Sequence, residues 1–193
     1  MKTAVVCATS VLVTLGSLAA YSVRAPAADS YQVDPIHSSM VFRVKHMGAT
    51  NFYGRFNNIT GSFTLDDDPS KNSFQVQIQT ESVDTAVKKR DDHLKSPDFF
   101  NTKQFPTITF KSTQVKKAGG DALDVTGDLT LHGVTKSVTA KVTKTGTGKF
   151  GGRSLAGVEA NLTIKRSDFG MNFMLEGIGD EVRITVSLEG GRQ

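Results

Sequence analysis

Few side chains in this sequence have the type and spacing that chemistry needs. Four histidines, His37, His46, His93 and His132, each lie in a different local motif. None shows the HxxxH or HxH spacing that brings two imidazoles to one metal. They read as turn caps or backbone contacts, and no metal is expected. The densest acid–base group is Arg90-Asp91-Asp92-His93. On a helix, Arg90 and His93 are three apart and share a face. A hydrolase or isomerase working there would also need a nucleophile and an oxyanion site. The chain has no GxSxG motif and no paired-carboxylate pattern, and its single cysteine, Cys7, sits at the extreme N-terminus. A helix-end ion pair of small energetic weight is the plainer reading. Gly146-Thr147-Gly148-Lys149 fails the phosphate-loop spacing, because Thr143 stands where a glycine is required and Phe150 follows the lysine. Asn58-Ile59-Thr60 and Asn161-Leu162-Thr163 match glycosylation sequons, which matter only in a eukaryotic secretory host. More informative are the apolar loops. Phe99 and Phe100 follow Pro97, and Phe169, Met171, Phe173 and Met174 fall in a segment with Gly170, Gly177 and Gly179. Loops this apolar either plug a core or line a mouth.

The elements that must position these residues are set by length and pattern. The chain has 193 residues, 38% of them hydrophobic and 22% charged, which fits one soluble folded domain. Its 23 basic and 19 acidic residues make a mixed surface, without the dense basic stripe of a nucleic-acid binder. Residues 1–28 contain no acid, and their only charges are Lys2 and Arg24. Between these lies a run of small and apolar residues, followed by Ala25-Pro26-Ala27-Ala28, so the segment reads as a secretory signal cleaved after Ala27 or Ala28. Retention as a membrane anchor is the alternative. Cleavage removes both cations and Cys7, leaving a domain of residues 29–193 with no thiol and a net charge lowered from +4 to +2. A chain without thiols suits an oxidising compartment.

Through this domain the apolar residues fall on every second position. Met40, Phe42 and Val44 alternate with polar neighbours, as do Phe74, Val76 and Ile78, and Ile108 and Phe110. Leu123 to Leu131, Val138 to Val142, Ala156 to Ile164 and Val182 to Leu188 continue the pattern. With Phe52–Leu65, this makes about eight antiparallel strands, each with one buried and one wet face. Within Phe52–Leu65 the parity slips at Asn57-Asn58, which predicts a bulge or bend. One helix is expected, over Thr85–Lys95, capped by Asp84 or Thr85 and stopped by Pro97. Eight such strands bury their apolar faces in a sandwich or in a closed barrel, which is either filled by side chains or hollow enough for one ligand. The pattern itself leaves these open.

Motif order narrows the choice. Tyr31 to Ser38, Val41 to Gly48 and Gly54-Arg55-Phe56 begin a series that continues through Arg90 to Phe100 and Phe105 to Phe110. It ends with Gly127 to Lys136, Arg166 to Met171 and Gly179 to Val182. In these motifs the chain resembles the YceI-like family of bacterial periplasmic proteins. Ser137, where the family often has proline, and the glycine-rich 146–152 loop depart from it. The resemblance implies an all-β, lipocalin-like, eight-stranded antiparallel barrel that holds a polyisoprenoid, such as a prenyl diphosphate or isoprenoid quinone, in its interior. It also implies a periplasmic location, pairing into homodimers, and membrane contact only for ligand exchange. No cofactor beyond the bound lipid is expected. On that reading Met40, Phe42, Val44, Phe74, Val76, Ile78, Ile108 and Phe110 face the cavity. Leu129, Leu131, Leu162, Ile164, Val182 and Ile184 join them. Phe99, Phe100, Phe169 and Met171 form the mouth, with Arg90, His93 and Arg166 as candidates to meet a charged head group. Two competing readings are a hydrolase or isomerase at Arg90-Asp91-His93 and an interaction barrel with a filled core.

Overall fold

The computed structural model describes residues 28–193; the expected secretion signal, apart from Ala28, lies outside them. The strands are β1 (Asp29–Val33), β2 (Ser39–His46), β3 (Thr50–Phe56), β4 (Ile59–Leu65), β5 (Ser73–Gln79) and β6 (Val83–Asp84). The helix α1 (Lys88–Leu94) precedes β7 (Thr107–Gly119), β8 (Ala122–Leu131), β9 (Val134–Phe150), β10 (Arg153–Lys165) and β11 (Ile178–Arg192). Every pairing is antiparallel, and β11 closes the sheet on itself. The first half of β11 pairs with β2 and its last residues pair with β1. β1 and β2 therefore fill one barrel position, broken at residues 34–38. β3 and β4 fill the next, bent at Asn57-Asn58, and β5 and β6 the third, interrupted by a short turn at Thr80–Ser82. Five unbroken strands complete an eight-stranded closed barrel with one helix.

The bend that the parity slip predicts is present. Phe56 and Ile59 are both buried across it, at 2% and 0% exposure. Two intervening asparagines shift the inward face from even to odd positions, as period two demands. The breaks in the second and third positions lie side by side, joined by Asn57 N–H to the Ser82 carbonyl (3.1 Å) and Gln79 N–H to the Asn58 carbonyl (3.0 Å). Alternation did not mark β1, because only Tyr31 and Val33 of its five residues are apolar.

Inside the barrel, large rings lie against inward-facing glycines. A Cβ on Gly54 would fall 2.2 Å from the Phe42 ring, and one on Gly127 would fall 2.6 Å from the Phe110 ring. This large-against-small pairing lets eight strands close around aromatic residues. β8 and β9 are joined by His132-Gly133, both with positive φ (52° and 75°), the two-residue turn whose twist matches a hairpin.

The helix is shorter than the expected Thr85–Lys95, and neither Asp84 nor Thr85 caps it. Ala86 has φ 62°, in the left-handed region, so the helix cannot extend back through it. Asp84 accepts the Ala86 N–H instead (2.8 Å), and Val87 occupies the cap position without a side-chain bond. β6 has two residues and pairs only with β3, leaving a gap between β6 and β7. The stretch from α1 to β7 packs into that end of the barrel.

Candidate ligand-binding chambers

The barrel interior holds two narrow voids. The first has a cavity volume of about 80 Å³ and the second about 100 Å³. Met40, Ile108, Leu129 and Ile184 belong to both walls and form the waist between them. Chamber 1 lies within the paired sheet, beside a stack in which the Tyr31 and Phe63 rings are 5.2 Å apart and the Phe63 and Phe74 rings 6.3 Å apart. Chamber 2 lies toward the helix, under Leu94, Phe99, Phe100, Met171 and Ile178. Phe100 packs edge-on against Phe56 at 5.2 Å and against Phe42 at 6.4 Å, which ties the cap to the barrel.

All fourteen residues placed inward from the sequence lie on these walls. Phe74, Val76, Ile78, Phe110 and Leu162 line chamber 1; Phe42, Val44, Leu131, Ile164 and Val182 line chamber 2; the four waist residues line both. Further wall residues were not singled out: Val125, Ala140, Val142, Val158, Ala160, Val186 and Leu188 in chamber 1, and Phe56, Leu94 and Ile178 in chamber 2. The strand residues among them share the parity of their inward neighbours, so the same signal could have found them. Leu94 carries no such signal, because it depends on how the cap folds, and Ile178 is set apart from Val182 by a register shift in β11.

The mouth residues separate into two sets. Phe99, Phe100, Met171 and Arg166 border chamber 2. Phe169, Arg90 and His93 border neither chamber. Phe169 is 1% exposed and part of the core, and its carbonyl accepts from His132 Nδ1 (3.1 Å). Arg90 donates from Nε to Thr85 Oγ1 and from Nη2 to the Thr85 carbonyl, both at 2.8 Å, and its guanidinium lies 4.4 Å from the Phe52 ring centroid. Asp91 accepts from the Thr85 N–H (2.9 Å) and hydroxyl (2.5 Å). His93 Nε2 pairs with Asp98 at 2.8 Å, and its ring meets Phe99 and Phe173 edge-on. The acid–base cluster is thus divided among local turn contacts.

Arg166 is 4% exposed, yet it donates to three carbonyls: Gly179 (Nε, 3.1 Å), Met171 (Nη1, 2.8 Å) and Ile178 (Nη2, 2.7 Å). Burial pushes its pKa below the usual arginine value, and Asp180 opposes that shift. The guanidinium is spent on the loop between β10 and β11, and only its hydrocarbon stem reaches chamber 2. Essentially all of the wall surface in both chambers is carbon.

Outside the barrel, Asp34, His37 and Glu189 bring three metal-ligand atoms within 4.8 Å of one another. His37 Nδ1 lies 2.9 Å from Asp34 and 3.8 Å from Glu189. The hydrogen bond that His37 donates to Asp34, then the charge of Asp34 and that of Glu189, raise the His37 pKa above the usual 6.5. The group clasps the break between β1 and β2 onto β11, where the Asp34 N–H also meets the Glu189 carbonyl (2.8 Å).

The YceI-like domain matches residues 31–190. Among relatives, a UPF0312 protein of Pseudomonas aeruginosa is 47% identical over 184 residues, covering 93% of this chain and 95% of that protein. Protein YceI of Escherichia coli O157:H7 is 44% identical over 185 residues with the same coverage. Among solved structures, BcnA of Burkholderia cenocepacia superposes with a TM-score of 0.75 at 28% identity, covering 81% of this chain and 98% of that one. The YceI protein of Campylobacter jejuni gives 0.69 at 28%, covering 77% and 90%. A barrel of this form, carrying the motifs of residues 31–190 in order, belongs to the YceI-like family.

Proposed function

We propose that this barrel is a periplasmic carrier that holds the tail of a long isoprenoid lipid in its two chambers. The observation that carries this reading is the wall chemistry: two adjoining voids that share four wall residues and are lined by carbon, with their polar neighbours turned to other tasks. Such a surface favours an apolar chain and offers nothing to a polar solute. At about 0.8 kcal/mol per buried CH₂, one five-carbon isoprene unit contributes roughly 4 kcal/mol gross, before the cost of association and ordering. A fold relative from Saccharophagus degradans, 19% identical, is described as a polyisoprenoid binding domain, which supports the ligand class for that protein. The secretory reading of residues 1–28 supports the location.

Binding is favoured over catalysis because Asp91 is occupied by Thr85 and His93 by Asp98, and neither borders a chamber. The same commitments put a charged head group outside the walls, in solvent at the capped end, and leave recognition to the tail. Titrating the purified protein with prenyl alcohols and prenyl diphosphates of matched length tests this. Affinity should rise with chain length, and Arg90→Ala should weaken both series equally. A diphosphate-specific loss in Arg90→Ala would show head-group pairing; no uptake of either series would refute the carrier.

A further inference from the structure

Just outside chamber 2 the surface becomes apolar. Met47, in the β2–β3 hairpin turn, is 61% exposed; Met174 and Leu175, in the loop before β11, are 49% and 39% exposed. The two methionines meet from separate loops. Their thioether ends both flank Gly177, and the Met47 N–H donates to the Gly177 carbonyl (2.6 Å). Each holds a left-handed backbone, φ 49° at Met47 and 50° at Met174. That conformation is uncommon for a long side chain, and turns that need it usually carry Asn, Asp or Gly. Methionine therefore occupies both positions against local preference, with its side chain in water.

The patch is continuous with the chamber wall. Gly177 precedes Ile178, and Phe173 packs edge-on against Phe99 at 5.3 Å; Ile178 and Phe99 both line chamber 2. Cations border it. Lys45 precedes the hairpin turn, and Lys89 lies one helical turn before His93, whose ring touches Phe173. Lys88 is paired with Asp92 and Lys95 with Glu81, whereas Lys45, Lys89 and Arg90 have no carboxylate partner among the described residues. Glu176, between Leu175 and Gly177, is the one carboxylate within the loop; exposed apolar side chains flanked by these three unpaired cations match the interface of an anionic bilayer.

We propose that Met47, Met174 and Leu175 are a membrane-contact tip that docks on an anionic lipid surface, where the ligand passes between bilayer and chamber 2. This rests on the carrier reading. The test is flotation of the purified protein with vesicles of phosphatidylethanolamine and phosphatidylglycerol, compared with phosphatidylcholine alone. The protein should float with the anionic vesicles, and raised salt should release it. Met47→Ser/Met174→Ser/Leu175→Ser should bind at least tenfold more weakly and accept prenyl alcohol from vesicles more slowly, while taking up the detergent-solubilised alcohol as the parent does. Phe150→Ser, which alters an 81% exposed ring at the far end of the β9–β10 hairpin, should change none of these. Failure of the parent to float with anionic vesicles, or equal flotation of the triple variant, would overturn the docking tip. Flotation without uptake of any prenyl alcohol would support the tip and refute the carrier.

Discussion

The two ends of the barrel are closed by different means. Around chamber 1 the rings of Tyr31, Phe63 and Phe74 stack, and the backbone ladders carry on past bulges at Gly157/Val158 and Ser112/Gln114. Around chamber 2 the third strand stops after two residues of β6, and irregular segments cover the opening. Those segments are fixed at a few points: Arg166 on three carbonyls, Asp91 and Arg90 on Thr85, His132 on the Phe169 carbonyl. A continuous ladder opens only with the whole sheet, whereas a cap tied by side-chain clamps opens locally. On the proposed carrier reading, the first end supplies stability and the second is where ligand exchanges.

The sharpest way to break this contrast is to remove the main clamp. Arg166→Ala leaves three carbonyls without their donor, two of them at 2.7–2.8 Å. A loss of about 3 kcal/mol or more is expected in denaturant unfolding. Hydrogen exchange should accelerate most in residues 166–180 and least in β4, β5 and β8. Arg166→Lys should not restore the parent value, since one ammonium cannot span three carbonyls in a fixed plane. The next effect comes from Gly54→Val, which drives a side chain into the Phe42 ring on chamber 2 and should cost roughly 1–3 kcal/mol. The waist offers a functional counterpart. Leu129→Trp should block passage between the chambers, weakening long prenyl alcohols about tenfold (about 1.4 kcal/mol) and sparing short ones. Equal losses at all lengths would mean that the two chambers are not used as one tunnel.

The smallest effect lies on the outer surface, at the clasp of the β1–β2 break. The folded-state pKa of His37 is raised by Asp34 and Glu189. The clasp is therefore fully present below about pH 6.5 and is lost as pH rises through the raised folded value. NMR titration should place the His37 midpoint above 6.5, and Asp34→Asn should lower it. A midpoint that ignores Asp34→Asn would remove the ion pair from the account.

What was legible in the sequence follows the same division. Period-two alternation marked every long strand and the inward set, because one buried face imposes it on each residue in turn. The slip at Asn57-Asn58 marked a bend, because two residues between Phe56 and Ile59 reverse the face. Alternation did not separate a hollow barrel from a filled sandwich, since both demand one apolar face; the motif resemblance supplied that choice. The cap was least legible. Arg90, Asp91 and His93 look like a reactive group in one dimension, but the left-handed Ala86 turns the chain so that they bond Thr85 and Asp98. Arg166 resembled a head-group ligand, and no local pattern announces that three carbonyls of the next loop surround it.

The central claim is that the chambers hold an isoprenoid tail. The most direct measurement is to purify the protein under mild conditions from its native cells, extract it with organic solvent and analyse the extract by mass spectrometry. The account predicts a long-chain isoprenoid close to one per barrel, recovered in a smaller amount from Leu129→Trp. An extract free of isoprenoids and other long-chain lipids, from a protein that also fails to take them up when they are added, would contradict it.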